Sequence, residues 1–409
     1  MGERAELGGG GPGVGRFGVG HCFGVGHSAD RDPVRAATET VGAAVAGRTV
    51  GAGDLVLVFP TVEYDPAVFF DTARSVAAPA RVVGCSSFSS FTDQQQVDRG
   101  AVAALLPAGS LSFGVAGVDQ VGSDIYGAAR AVTERAQDDA GGASQHAALL
   151  MFSDGLAGDQ REVVRGSYAV TGSTVPLVGG AAAENQQLWT TYQYADGELM
   201  NNGLVAVWIN SADPVGVGVR HGWHPTGEPM IVTRAEGNVV YELDGRPAVE
   251  PYLEQRAANP RDSNLHGEGA VSFSASMLDE PLGLANVSGR FDVRHMLSRT
   301  EDGGLVMFGH INEQSVVKVM TGDWRDLVEA AEEAATDAVS QLDTAPRGAI
   351  VFSCTGRVAP LGDHLRDEAA AVTRSMAGAP VAGFFTYGEF ARVTGSTGFH
   401  NATVVVLAV

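Results

Sequence analysis

The stretch Ala349-Ile350-Val351-Phe352-Ser353-Cys354-Thr355-Gly356-Arg357 decides how this chain is read. An apolar run ends abruptly in small, polar and cationic residues. A helical stretch follows, then Pro380-Val381-Ala382-Gly383-Phe384-Phe385-Thr386-Tyr387-Gly388-Glu389. The chain closes on His400-Asn401-Ala402-Thr403 and the run Val404 to Val409. Apolar runs without alternation are the pattern of strands buried on both faces.

The same grammar occurs twice earlier. One copy runs through Leu55 to Pro60, a helix, Arg81-Val82-Val83-Gly84-Cys85-Ser86 and then Gly100 to Leu106. The next runs through Ala148 to Ser153, a helix, Val175-Pro176-Leu177-Val178-Gly179-Gly180 and Asn202 to Trp208. From the first run's Phe to the second run's Gly the gaps are 25, 27 and 31 residues. Each gap holds a helical crossover, so the two strands it joins are expected to be parallel. The expected fold is α/β, with internally duplicated β-α-β units forming mixed sheets flanked by helices, in two domains. Residues 1–15 read as a flexible glycine-rich leader, 16–224 as the first domain and 225–409 as the second. The boundary falls in His224-Pro225-Thr226-Gly227-Glu228-Pro229, which reads as a linker.

Helix starts are marked by Asp32-Pro33 and Asp65-Pro66, an N-cap acid before a proline at the first helical position. Asp159 with Glu162 and Asp323 before Trp324 mark two more. The charge balance is −21, and all but one of the basic residues are arginine, the exception being Lys318. A surface this acidic argues against nucleic acid and anionic membrane as partners. The three cysteines, Cys22, Cys85 and Cys354, form no close pair, which points to a reducing, cytoplasmic setting. No run reaches the ~20 apolar residues of a membrane-spanning helix.

Candidate chemistry sits at the strand ends. Cys85 and Cys354 could each serve as a nucleophile, given a neighbour that lowers the thiol's pKa. Both could equally be small buried side chains. His21, His27, His221, His224, His266 and His295 match no zinc spacing, and no metal site is expected. Gly24-Val25-Gly26 lacks the rest of a dinucleotide fingerprint, and no Walker or Gly-x-Ser-x-Gly motif is present. Asp154 and Glu184 read as turn residues. Arg357, Tyr387, Glu389 and Asn401 form the most suggestive set, since Arg reads a carboxylate and Glu an ammonium group. They suit a zwitterion such as an amino acid. On that reading, alanine at Arg357 or Glu389 abolishes binding with folding intact. If both variants unfold, an Arg–Glu structural pair is the better account.

Ser353 to Arg357, Gly383 to Glu389 and His400 to Thr403 together resemble the C-terminal half of FIST domain proteins. Val83-Gly84-Cys85-Ser86-Ser87, Val178-Gly179-Gly180-Ala181-Ala182 and Leu243-Asp244-Gly245-Arg246-Pro247-Ala248 resemble the preceding parts. The resemblance implies a FIST-N-like domain followed by a FIST-C-like one, forming a non-enzymatic sensor of a small ligand. The expected ligand-binding residues are Gly84, Cys85, Ser86, Gly179, Gly180, Cys354, Arg357, Tyr387, Gly388, Glu389 and Asn401. It also implies a separate signalling partner, such as a histidine kinase or a cyclic-dinucleotide enzyme. The alternatives are a haem-binding nitric-oxide sensor and a thiol enzyme using Cys354 or Cys85.

Overall fold

A computed structural model describes residues 23–122, 124–258, 280–286, 291–392 and 398–409. His21, Cys22 and His266 lie outside the described residues. The three copies seen in the sequence are three structural units of one design. Each runs edge strand, helix, first strand, helix, second strand, hairpin, third strand. In the first unit these are Gly24–Ser28, Pro33–Val45, Leu55–Pro60, Pro66–Ala77, Arg81–Cys85, the hairpin Ser90–Thr92 with Gln96–Val97, and Ala101–Leu106. The second unit repeats the order from Leu111–Val118 to Leu204–Ser211. The third begins at Gly216–Arg220 and ends at Val404–Ala408.

The helical crossovers make first and second strands parallel in every unit, with Val58 opposite Gly84, Met151 opposite Gly179 and Val351 opposite Gly383. The third strand returns antiparallel against the first. The sheets are therefore mixed, as the crossover lengths require. Each hairpin leaves its own unit. That of the first unit extends the third unit's sheet beside Val381–Thr386. The second unit's hairpin, Gln193–Ala195 with Glu198–Met200, extends the first sheet. The third unit's, Glu389–Arg392 with Phe399–His400, extends the second. This cyclic exchange covers one edge of every sheet and locks the units together.

The inner faces of all three sheets share one core, which includes Leu57, Leu150 and Ile350. Phe59, Phe152 and Phe352, the equivalent residues of the three first strands, meet there with Phe384. Phe59 stacks on Phe384 at 4.3 Å between centroids, and Phe152 and Phe352 complete the plug. The outer faces carry their own cores under paired helices. Sheets buried on both sides explain the unbroken apolar runs. The helix starts form as their sequences dictate. Asp32, Asp65 and Asp159 each accept a backbone N–H, and Asp323 with Asp326 forms a full capping box.

Between the edge strand of the third unit and its helix Trp324–Val339, the chain makes a β-rich module. His224–Glu236 is a strand there, not the linker its Pro225, Gly227 and Pro229 suggested. It accommodates those residues through a break in register between Thr226 and Met230. The module's own core includes Met230, Val232, Tyr252, Met296 and Val317. Its strands Phe291–Arg294, Met296–Arg299 and Leu305–Met307 bring His295, Leu297 and Phe308 over the polar strand ends of the three-unit body. No helix among the described residues is long and apolar enough to cross a membrane.

Candidate functional site

A cavity of about 400 Å³ lies between the body and the module. Cys354, Tyr387 and Asn401 line it from the body's strand ends, and Thr355, Gly356 and Val358 from the turn that follows Cys354. His295, Leu297 and Phe308 close it from the module, while Phe88, Gln186 and Leu188 complete the wall. A second cavity of about 350 Å³ adjoins it and shares Leu188, Leu297, Phe308 and Tyr387. The size falls within the ~300–1,000 Å³ of small-molecule sites.

Two side chains give the cavity its chemistry. His295 and Asn401 are only 2% and 1% exposed; the His295 ring lies against the Gly356 backbone, whereas neither Asn401 amide atom has a hydrogen-bond partner among the described residues. A buried polar group left unpaired costs ~1–3 kcal/mol, so such groups mark places where something else binds. Burial lowers the His295 pKa to about 4, the adjacent Gly356 backbone opposing this, so the imidazole is neutral. Its ring packs so closely on Gly356 that a Cβ at that position would overlap it. Glycine at 356 is thus what admits His295 to the site.

The loop over the cavity is tied down by Glu184. Its carboxylate accepts the backbone N–H of Leu188 at 2.7 Å and of Gln187 at 3.1 Å, and the Tyr387 hydroxyl donates to it. The same hydroxyl accepts from the Gln186 N–H at 3.0 Å. Burial, with the Glu184 carboxylate second, pushes the Tyr387 pKa well above its ordinary value, so the hydroxyl stays a donor. Tyr387→Phe is expected to remove this tie. Hydrogen exchange at the amides of Gln186 to Leu188 should accelerate relative to wild type; unchanged rates would show the loop is held otherwise.

The structure separates the sequence-derived site residues into two groups. Cys354, Tyr387 and Asn401 come together in the cavity. Arg357 is fully buried behind it and does not face Glu389. Its Nε donates to Glu368 at 3.2 Å, and its Nη atoms donate to the carbonyls of His221 and Leu327, each at 2.9 Å. Ser353 donates to the same Glu368 oxygen at 2.9 Å. Arg357 thus braces the body against the helix Trp324–Val339.

Glu389 is also fully buried, and its carboxylate accepts from the hydroxyls of Thr386 and Thr403 and from the Thr403 N–H. Gly84 and Gly179 sit where a Cβ would overlap the Val58 and Met151 carbonyls of the neighbouring strand, so close strand packing accounts for them. Gly180 packs on Thr386, and Gly388 on Phe399. Cys85 is in the central core, and the Ser86 hydroxyl accepts the Tyr192 N–H at 3.0 Å. Sequence reasoning favoured no role for His295, since a lone histidine, here between the strands Phe291–Arg294 and Met296–Arg299, carries no signal. Glu184 does close a turn, and that turn is the cavity's roof.

The Glu389 carboxyl is the site's most perturbed acid. Burial pushes its pKa up to about 7, against opposing hydrogen bonds from Thr386, Thr403 and Cys354. The unfolded chain holds this proton only below about 4.5. Between those values the native state binds more protons than the unfolded one. The stabilisation from this proton is complete below pH 4.5 and is lost as pH rises through 7, a change of roughly 3 kcal/mol. His221 and His295, each lowered to about 4 by burial, act in the opposite sense from pH 4 to 6.5. Subtracting Glu389→Gln from wild type cancels the histidines. The difference in unfolding free energy from urea titrations should fall by that amount between pH 5 and 8. An equal difference at both pH values would mean that Glu389 is ionised throughout.

Cys354 lines the cavity, but burial and the adjacent Glu389 carboxylate push its thiol pKa well up, and burial does the same for Cys85. Neither has the depressed pKa of a thiolate nucleophile. Among the described residues, no group of three or more His, Cys, Asp or Glu side chains is placed to hold a metal ion.

Comparison with known proteins agrees with the motifs at the strand ends. An uncharacterized protein of Mycobacterium tuberculosis is 31% identical over 238 residues, which cover 57% of this chain and 60% of that protein. An uncharacterized protein of Methanocaldococcus jannaschii is 30% identical over 154 residues, 37% of this chain and 30% of that protein. The matched region thus spans less than two thirds of these relatives' length. A solved cyanuric acid hydrolase from A. caulinodans is 13% identical, with a TM-score of 0.27 over 46% of this chain and 70% of that one, and this likeness carries no argument. Residues 54–246 match the FIST N domain and residues 249–392 the FIST C domain. FIST domains are associated with sensory signal transduction and small-ligand binding. With both domains matched in tandem over most of its length, the chain belongs to the FIST family.

Proposed function

We propose that this protein is a sensor whose small ligand occupies the cavity between the three-unit body and the inserted β module. The observation that carries this reading is Asn401, fully buried with both amide atoms unpaired among the described residues, in a wall that His295 closes from the module side. A ligand bonded to Asn401 and packed on Leu297 and Phe308 ties the module to the body, and its departure loosens that joint. The readout then passes to a separate partner, for which a histidine kinase or a cyclic-dinucleotide enzyme is the class the family suggests.

The amino-acid ligand expected from Arg357 and Glu389 finds no support in this geometry, because both groups are engaged behind the cavity wall. Haem does not fit the residues present. The Gly356 backbone lies against the His295 ring where an iron would stand. Among the described residues lining either cavity there is no Arg or Lys to meet the propionates. The protonated state of Cys354 argues against the thiol-enzyme reading.

The test is the mass of the purified protein under native and then denaturing conditions. A captured ligand adds a discrete mass that is lost on denaturation. Identical masses for protein at the highest workable concentration, even when purified without dialysis, would count against a resident ligand.

A further inference from the structure

Resting on the cavity being the ligand site, we infer that its ligand is an uncharged molecule bearing a carboxamide, lactam or cyclic imide. The wall of the 400 Å³ cavity contains no Asp, Glu, Lys or Arg among the described residues, and in the adjoining cavity the one carboxylate, Asp159, is already paired with Arg161. Bringing an ion into such a space strips its water without supplying a counter-charge, which disfavours it. A zwitterion meets that cost at both ends.

The unpaired groups have a specific complement. Asn401 presents an amide oxygen that accepts and an amide nitrogen that donates, side by side. A ligand amide offers the reverse pair and closes two parallel hydrogen bonds. His295 is neutral and holds its ring against the Gly356 backbone, so the amide recognition falls to Asn401. Phe88, Leu188, Leu297, Phe308 and Val358 form the apolar remainder, suited to a hydrocarbon or aryl portion.

The probes are benzamide, benzoate and benzamidine, which share one shape and carry no charge, one negative and one positive charge. Phenylalanine is added as a zwitterion. Calorimetric titration of the full chain should show benzamide binding at least tenfold more tightly than the other three. Asn401→Leu should weaken benzamide binding by on the order of 100-fold, and Asn401→Asp should turn the preference toward benzamidine, a change that a purely structural role would not produce. If benzoate or phenylalanine binds as tightly as benzamide and needs Asn401, the uncharged class is overturned while the cavity reading stands. If none of the four binds although the native protein carries a captured mass, the amide class again falls alone. If none binds and no mass is captured, both readings fall.

Discussion

Arg357→Met should lower the unfolding free energy by about 3–5 kcal/mol, among the largest losses expected of any single substitution here. Arg357 and Glu368 are both almost completely removed from solvent, and they pair at 3.2 Å. Removing the guanidinium leaves the Glu368 carboxylate buried with only the Ser353 hydroxyl beside it, and strips the donors from the carbonyls of His221 and Leu327. The double variant Arg357→Met/Glu368→Leu replaces both charges by apolar groups. It should recover most of the loss, because exchanging a buried ion pair for packed hydrocarbon is close to neutral. Denaturant titration of the three proteins checks this. A single variant as stable as wild type would mean that the pair is not buried as described. Recovery by the double variant would separate the structural role from any contact with ligand.

Asn401→Leu should act in the opposite direction on the two properties it touches. In the ligand-free protein it removes two buried, unpaired polar atoms at nearly constant volume. It should therefore stabilise the fold, by about 1 kcal/mol. The same change should weaken ligand binding by on the order of 100-fold, or about 2.7 kcal/mol, because the partners of both amide atoms then go unpaired in the complex. Stability gained where binding is lost is the signature of a residue kept for function. If Asn401→Leu instead destabilises the protein, the amide has a structural partner and the site must be sought elsewhere.

Much of the fold could be read from local pattern. The runs Leu55–Pro60, Ala148 to Ser153 and Ala349–Cys354 announce strands buried on both faces, and the Asp-Pro pairs at 32–33 and 65–66 announce helices. The cyclic exchange of hairpins was not legible. Ser90–Thr92 and Gln193–Ala195 are three residues long, and nothing in so short a strand names a partner in another unit. The module was obscured by His224–Glu236, where two prolines and a glycine at φ 64° imitate a linker inside a bent strand.

The site divides in the same way. Cys354, Tyr387 and Asn401 were legible because strand ends collect polar residues within a few positions of an apolar run. Arg357 and Glu389 satisfied that rule too, yet they point inward, since the rule gives the end of the strand and not the direction of the side chain. His295 was invisible because it reaches the cavity from a different part of the chain. Its place against the Gly356 backbone and in the cavity wall exists only in the assembled fold.

The measurement that bears most directly on the central claim is equilibrium dialysis against a small-molecule extract of the source cells, run in parallel for wild type and Leu297→Trp. Leu297 borders both adjoining cavities, so an indole there fills the space without touching the buried ion pair. Wild type should enrich a small uncharged molecule, and Leu297→Trp, equally folded, should not. Equal enrichment by both proteins, or none by either, would contradict that claim.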